Sequence, residues 1–182
     1  MSFGEARVMS SILVVCYSRS GFTQTVAGEL AKACGADLDI IREDANRAGI
    51  SGYLRSMLEA ALHLHPRIHP AGLAPADYDL VVIGTPIWFW NMASPVRTYL
   101  ETHRTEFRNV AFFCTFGGSG DRKVLQDLER LTGKHPLTRL ALMDEEITGR
   151  RYHGPLTKFT KRLRGALRFL NRSPHPAAAA SH

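Results

Sequence analysis

The feature that most constrains this chain is a regular alternation of short apolar, β-branched runs with amphipathic helical patterns. Five runs stand out: Ser11–Cys16, Asp37–Ile41, Leu80–Gly84, Val110–Thr115 and Leu137–Met143. The first, third and fourth are nearly continuous in apolar character, as strands covered on both faces are. Between them, Phe22, Val26, Ala27, Leu30, Ala31 and Cys34 form one helical stripe, with Gly35 as its C-terminal cap. Leu54, Met57, Leu58, Ala61 and Leu62 form a second. A third opens at Ser94-Pro95, with Ser94 as cap, and buries Val96, Tyr99 and Leu100. Val124, Leu125, Leu128 and Leu131 make a fourth, closed by Gly133. Pro155 opens a fifth, carrying Leu156, Phe159, Leu163, Leu167 and Leu170. This order predicts a doubly wound α/β domain over residues 10–172. Right-handed crossovers favour the strand order 2-1-3-4-5, with a ligand crevice at the carboxyl ends of the strands. The Pro/Ala-rich end, residues 173–182, reads as a disordered tail.

The least generic residues follow strands one, three and four. The first loop, Tyr17-Ser18-Arg19-Ser20-Gly21-Phe22-Thr23, enters a helix, where free amides and the helix dipole favour a phosphate. Ser18, Ser20 and Thr23 add hydroxyls, and Gly21 lets the backbone come close. Neither GxGxxG nor GxxxxGK[ST] is present, so dinucleotide and Walker fingerprints are absent. The second loop, Gly84-Thr85-Pro86-Ile87-Trp88-Phe89-Trp90-Asn91-Met92, holds three consecutive aromatics. Strand neighbours alternate faces, so at least one should face the crevice, where a planar ring could stack. The third loop, Thr115-Phe116-Gly117-Gly118-Ser119-Gly120-Asp121, has glycines that let backbone amides reach a ligand edge. Each loop alone also fits a structural role: a capped polar turn, an aromatic plug at the sheet edge, or a strand-to-helix turn capped by Ser119 or Asp121.

Together the loops resemble those of the flavodoxin family. Ser18, Ser20, Gly21 and Thr23 are similar to its phosphate loop, with Phe22 where Asn is usual; GTPIW is similar to its second flavin loop. The resemblance covers about Ser10 to Leu170 and implies a flavodoxin-like three-layer sandwich around a five-stranded parallel sheet. It implies one non-covalent FMN. Its phosphate would lie on the first loop, held by neutral donors with Arg19 facing solvent. Its ring would lie against Thr85–Asn91, and its pyrimidine edge on Thr115–Asp121. With one phosphate-sized loop, FAD and riboflavin are expected to bind less well. The expected function is flavodoxin-like electron transfer with a redox partner protein. The alternatives are an NAD(P)H-dependent oxidoreductase acting on quinones or other small acceptors, or a flavin-free binding module. No catalytic acid or base is identifiable.

Other features carry less. Cys16, Cys34 and Cys114 lack CxxC spacing and read as small apolar residues. His63, His65 and His69 lack acidic or Cys companions, so a solvated connector is expected and no metal. No stretch approaches a membrane span and the N-terminus lacks a secretory core, so a cytoplasmic protein is expected. The net charge of +6 concentrates late in the chain. The basic face of Lys158–Arg172 could dock weakly on an acidic surface, and nucleic acid is not an expected partner.

Overall fold

A computed structural model describes residues 11–42 and 72–172. The strands are β1 (Ile12–Cys16), β2 (Asp37–Ile40), β3 (Leu80–Trp88), β4 (Asn91–Met92), β5 (Val110–Phe116) and β6 (Arg139–Met143). The helices are α1 (Phe22–Cys34), α2 (Ser94–Thr102), α3 (Asp121–Thr132), α4 (Asp144–Thr148) and α5 (His153–Arg172), with a single 3-10 turn at Pro75–Asp77. The parallel sheet runs β2-β1-β3-β5-β6, which is the expected 2-1-3-4-5 order once the short β4 is set aside. The helical stripe at Leu54–Leu62, the histidines at 63, 65 and 69, and the tail lie outside the described residues.

Successive side chains of a strand point to opposite faces, and the two cores divide accordingly. Ile12, Val14, Cys16, Leu80, Val82, Ala111 and Phe113 pack on one face beneath α1 and α5. Leu13, Val15, Val81, Ile83, Val110, Phe112 and Cys114 pack on the other beneath α2 and α3. Strands β1, β3 and β5 are buried along nearly their whole length, which is why they read as unbroken apolar runs. The chain winds outward in opposite directions from β1 and β3. The crevice where a ligand would enter therefore opens between their carboxyl ends.

Four local expectations need correcting. Strand β3 does not stop at Gly84 but continues to Trp88. Pro86 pairs with Thr115 at the last step of the parallel ladder, where a missing N–H costs least, and the strand then turns back as a hairpin onto β4. Ser94 is not a cap: it is the first residue of α2, behind Ala93, and its buried hydroxyl has no partner. Helix α5 starts at His153, so Pro155 lies within its first turn, where its absent N–H is harmless. Helix α4 was not expected; its five residues are too few to show a stripe, and its start is fixed by Glu146 Oε2, which accepts the Met143 amide at 2.8 Å.

The thiols follow their burial. Cys16 and Cys114 are fully buried, and desolvation pushes each up to about 12, with Asp39 adding at Cys16 and Asp121 at Cys114. Cys34 is half-buried and shifts upward as well, opposed by Arg164. Alkylation of the native protein should therefore label Cys34 alone, and unfolding should expose all three. Mass spectrometry of native and denatured samples checks this. Rapid native labelling at Cys16 or Cys114 would show that the sheet opens locally.

Candidate functional site

The three sequence loops converge at the carboxyl edge of the sheet. A cavity of about 510 Å³ is lined by Arg19 and Ser20 from the first loop, Pro86, Ile87 and Trp88 from β3, Thr115, Phe116 and Gly117 from β5, and Asp144. A second cavity of about 270 Å³ adjoins it, sharing Ile87, Phe116 and Gly117 and bounded further by Phe89, Trp90, Gly118 and Ser119. The larger volume lies in the range of small-molecule sites.

The first loop leaves the start of α1 available. Gly21 is the N-cap, at φ 90°, and no side chain caps the helix. No acidic residue occupies its first turn. Ser18 Oγ accepts the Gly21 amide at 3.1 Å, which shapes the turn without covering the amides that follow. A Cβ built on Gly21 meets nothing within 4 Å, so open space lies beside the loop. Uncapped amides, an open approach and no competing carboxylate suit an anion. Thr23 differs from its loop neighbours: it is buried, and its hydroxyl bonds the Thr115 hydroxyl at 2.8 Å, tying α1 to β5. Phe22, where the family pattern has Asn, packs partly against the core. Arg19 is not turned wholly to solvent as expected; it is half-buried in the cavity wall.

The second loop is a tight hairpin. Trp88 pairs with Asn91, leaving Phe89 and Trp90 as the two turn residues at φ 47° and 58°. Positive φ at both positions is the type I′ pattern, which ordinarily selects Asn-Gly. Phe89 and Trp90 are 46% and 58% exposed, whereas Trp88 lies edge-on to Tyr17 at 5.7 Å between centroids. Thr85 is buried beneath the hairpin, and its Oγ1 accepts the Ala93 amide at 3.0 Å. Loop three is held to this hairpin: Trp90 Nε1 donates to Ser119 Oγ at 2.9 Å, and Lys123 Nζ donates to Asn91 Oδ1 at 2.8 Å. A Cβ on Gly120 would stand 3.0 Å from Trp90 Cα, so glycine lets the loop pass beneath it. Gly120 itself, at φ 110°, precedes α3; Ser119 serves Trp90 instead of capping, and Asp121 is the first helical residue.

Asp144 escaped the sequence reading, although it stands at the carboxyl end of the fifth apolar run and the same rule would have found it. Burial raises its pKa above the ordinary carboxylate value. Arg164 of α5 donates to the Ala33 carbonyl near the far end of α1, and α1 begins at the crevice, so this part of the basic helix flanks the opposite end of the sheet. Among the described residues no cluster of ligating side chains could hold a metal, and no helix is long and apolar enough to cross a membrane.

Residues 11–154 match the protein family described as Flavodoxin. The chain is 34% identical over 101 residues to an NAD(P)H dehydrogenase (quinone) of Chromohalobacter salexigens, covering 51% of this chain and 47% of that protein. It is 31% identical over 103 residues to one of Paracoccus denitrificans, covering 51% and 44%. It thus spans about half the length of the curated relatives it matches. A flavoprotein from Lactobacillus acidophilus, solved in complex with FMN, superposes with a TM-score of 0.64 at 21% identity, over 78% of this chain and 98% of that one.

Proposed function

This chain belongs to the flavodoxin family, and we propose that it binds one FMN and works as a redox protein exchanging electrons with a protein partner. The observation that carries the reading is the convergence of three separate loops on one pair of joined cavities, with an uncapped helix start at one end and an aromatic hairpin at the other. The amides that begin α1, with Ser18 and Ser20 beside them, would hold the phosphate. Trp88, Phe89 and Trp90 would lie against the ring, and the Gly117–Gly120 backbone would face its pyrimidine edge. FMN, when bound, supplies a centre that accepts and releases electrons. The protein's part is to set how readily: backbone amides favour the negative charge of the reduced ring, and packed aromatics disfavour it.

A second reading, direct NAD(P)H-driven reduction of quinones, draws on the names of the two curated relatives and on the small cavity walled by Ile87, Phe89, Trp90 and Phe116. One series of measurements tests both. The purified protein should show flavin absorbance, and the stripped chain should take FMN at least about tenfold more tightly than riboflavin, because charge-assisted phosphate bonds are lost with riboflavin. Equal affinities would overturn the phosphate assignment. Rapid mixing with NADPH should reduce the bound flavin slowly, and a partner reductase should do so fast. Rapid bleaching by NADPH alone, with steady quinone turnover, would replace the carrier reading with the second one.

A further inference from the structure

Helix α5 commits Leu156, Phe159, Leu163 and Leu167 to the core and turns a second stripe outward. Lys158, Arg162, Gly165 and Phe169 recur at helical spacing along that stripe, flanked by Lys161, Arg164 and Arg168, and all of them are exposed. The helix carries no Asp or Glu anywhere along its length. On α3, Lys123 and Arg130 stand four and three residues from Asp127 and pair with it. The cations of α5 have no such partner within reach on their own helix, and Lys158, Lys161, Arg162 and Arg168 form no ion pair among the described residues. Lys158 and Arg162, like Arg164 and Arg168, sit at i, i+4 spacing, where like charges repel. A Cβ on Gly165 would meet nothing within 4 Å, so no packing contact requires this glycine; it costs helix stability and leaves the middle of the cationic face flat.

A face of uncompensated cations is complementary to a surface of anions, and its place in the fold says which kind. Asp144, at the start of α4, lines the larger cavity, and α5 runs from that end of the sheet to the far end of α1, where Arg164 meets the Ala33 carbonyl. Arg168 and Phe169 stand about one turn further on. A redox partner seated there would be at the wrong end of the domain to exchange electrons with a flavin in the cavities. Phe169 is 72% exposed at the end of this cationic face. Cations along an amphipathic helix beside an exposed aromatic ring suit an anionic lipid surface, which takes the charges at its headgroups and the ring at the boundary beneath them. The phosphates of a nucleic-acid duplex would meet the cations but offer the ring no apolar seat.

We propose that the outward face of α5 docks the protein on an anionic lipid surface, with Lys158, Lys161, Arg162 and Arg168 on the headgroups and Phe169 at the acyl boundary. The inference stands independently of the flavin reading. Its test is sedimentation of the full chain with vesicles of phosphatidylcholine alone or mixed with phosphatidylserine. At an ionic strength of about 0.15 M the protein should bind the mixed vesicles and not the neutral ones, and about 1 M salt should release it. Lys158→Gln/Arg162→Gln should weaken this binding by about 30-fold, at about fivefold for each cation. Phe169→Ala should weaken it by about fivefold, for a ring that is partly withdrawn from water. Arg104→Gln/Lys134→Gln removes the same charge from the ends of α2 and α3, on the other face of the sheet, and should weaken it by less than about threefold. All variants change exposed side chains and should melt with the wild type. Absence of binding to the mixed vesicles overturns the proposal, and so does Phe169→Ala binding that matches the wild type. Equal losses in the two double variants would overturn it by showing that net charge alone attracts the lipid. Tighter binding to a duplex oligonucleotide at the same salt would overturn it by making α5 a nucleic-acid surface.

Discussion

Gly84→Ala should destabilise the protein by about 3 kcal/mol. The glycine pairs with Phe113 across β3 and β5, and the Phe113 ring lies over it. A Cβ at position 84 would sit 2.1, 2.4 and 2.7 Å from three atoms of that ring. Phe113 is fully buried in the core beneath α1 and α5. Alanine therefore pushes the ring off its rotamer or spreads the two central strands, and overpacked cores resist both. For a domain of this size the melting midpoint should fall by roughly 10 °C. Phe113→Leu in the same chain should recover a good part of that loss, because the clash and its relief belong to one contact. Melting curves of both single variants and the double variant check this. A Gly84→Ala protein that melts within about 2 °C of wild type would show that the ring yields freely. The first residue of the GTPIW segment is thus required by core space, and only Pro86, Ile87 and Trp88 of the segment line the cavities.

How much could be read beforehand follows from how each element earns its place. Strands β1, β3 and β5 are buried on both faces, so their sequences are apolar without interruption and their carboxyl ends could be located from the sequence. That brought all three segments to the carboxyl edge of the sheet, although β3 runs four residues past Gly84 and the second segment is mostly strand and hairpin. Elements of two and five residues, β4 and α4, cannot display a period and were not anticipated. The fate of individual hydroxyls was equally hidden. Ser18, Ser20 and Thr23 look alike in sequence, yet Ser18 supports the Gly21 amide, Ser20 lines the cavity and Thr23 is committed to Thr115. Only tertiary contacts across 92 positions of chain separate them. The basic face of α5 was legible as a face, but its distance from the crevice depends on which end of α1 it meets, which no periodicity encodes.

The hairpin at Phe89-Trp90 should respond in opposite directions when stability and flavin binding are measured together. Left-handed backbone costs a bulky residue about 1 kcal/mol, and this turn carries two. Asn at the first position and Gly at the second would meet the same φ values with little strain. The native turn is held by a set of polar bonds: Asn91 Nδ2 donates to the Phe89 carbonyl at 2.8 Å, Trp90 Nε1 to Ser119, and Lys123 to Asn91. Of these, Phe89→Asn/Trp90→Gly removes only the exposed Trp90 bond, worth about 0.5–1 kcal/mol. The double variant should accordingly gain about 1 kcal/mol, seen as a higher denaturant midpoint at unchanged slope. Under the proposed function it should also lose about tenfold or more in FMN affinity, because the aromatic wall of the smaller cavity goes with it. Strain retained in a turn that a common dipeptide would relieve is explained if the rings serve the ligand and not the fold. A variant less stable than wild type would mean that Phe89 and Trp90 hold the hairpin together. Unchanged affinity would mean that the flavin ring lies elsewhere, with Trp88 as the remaining aromatic to test.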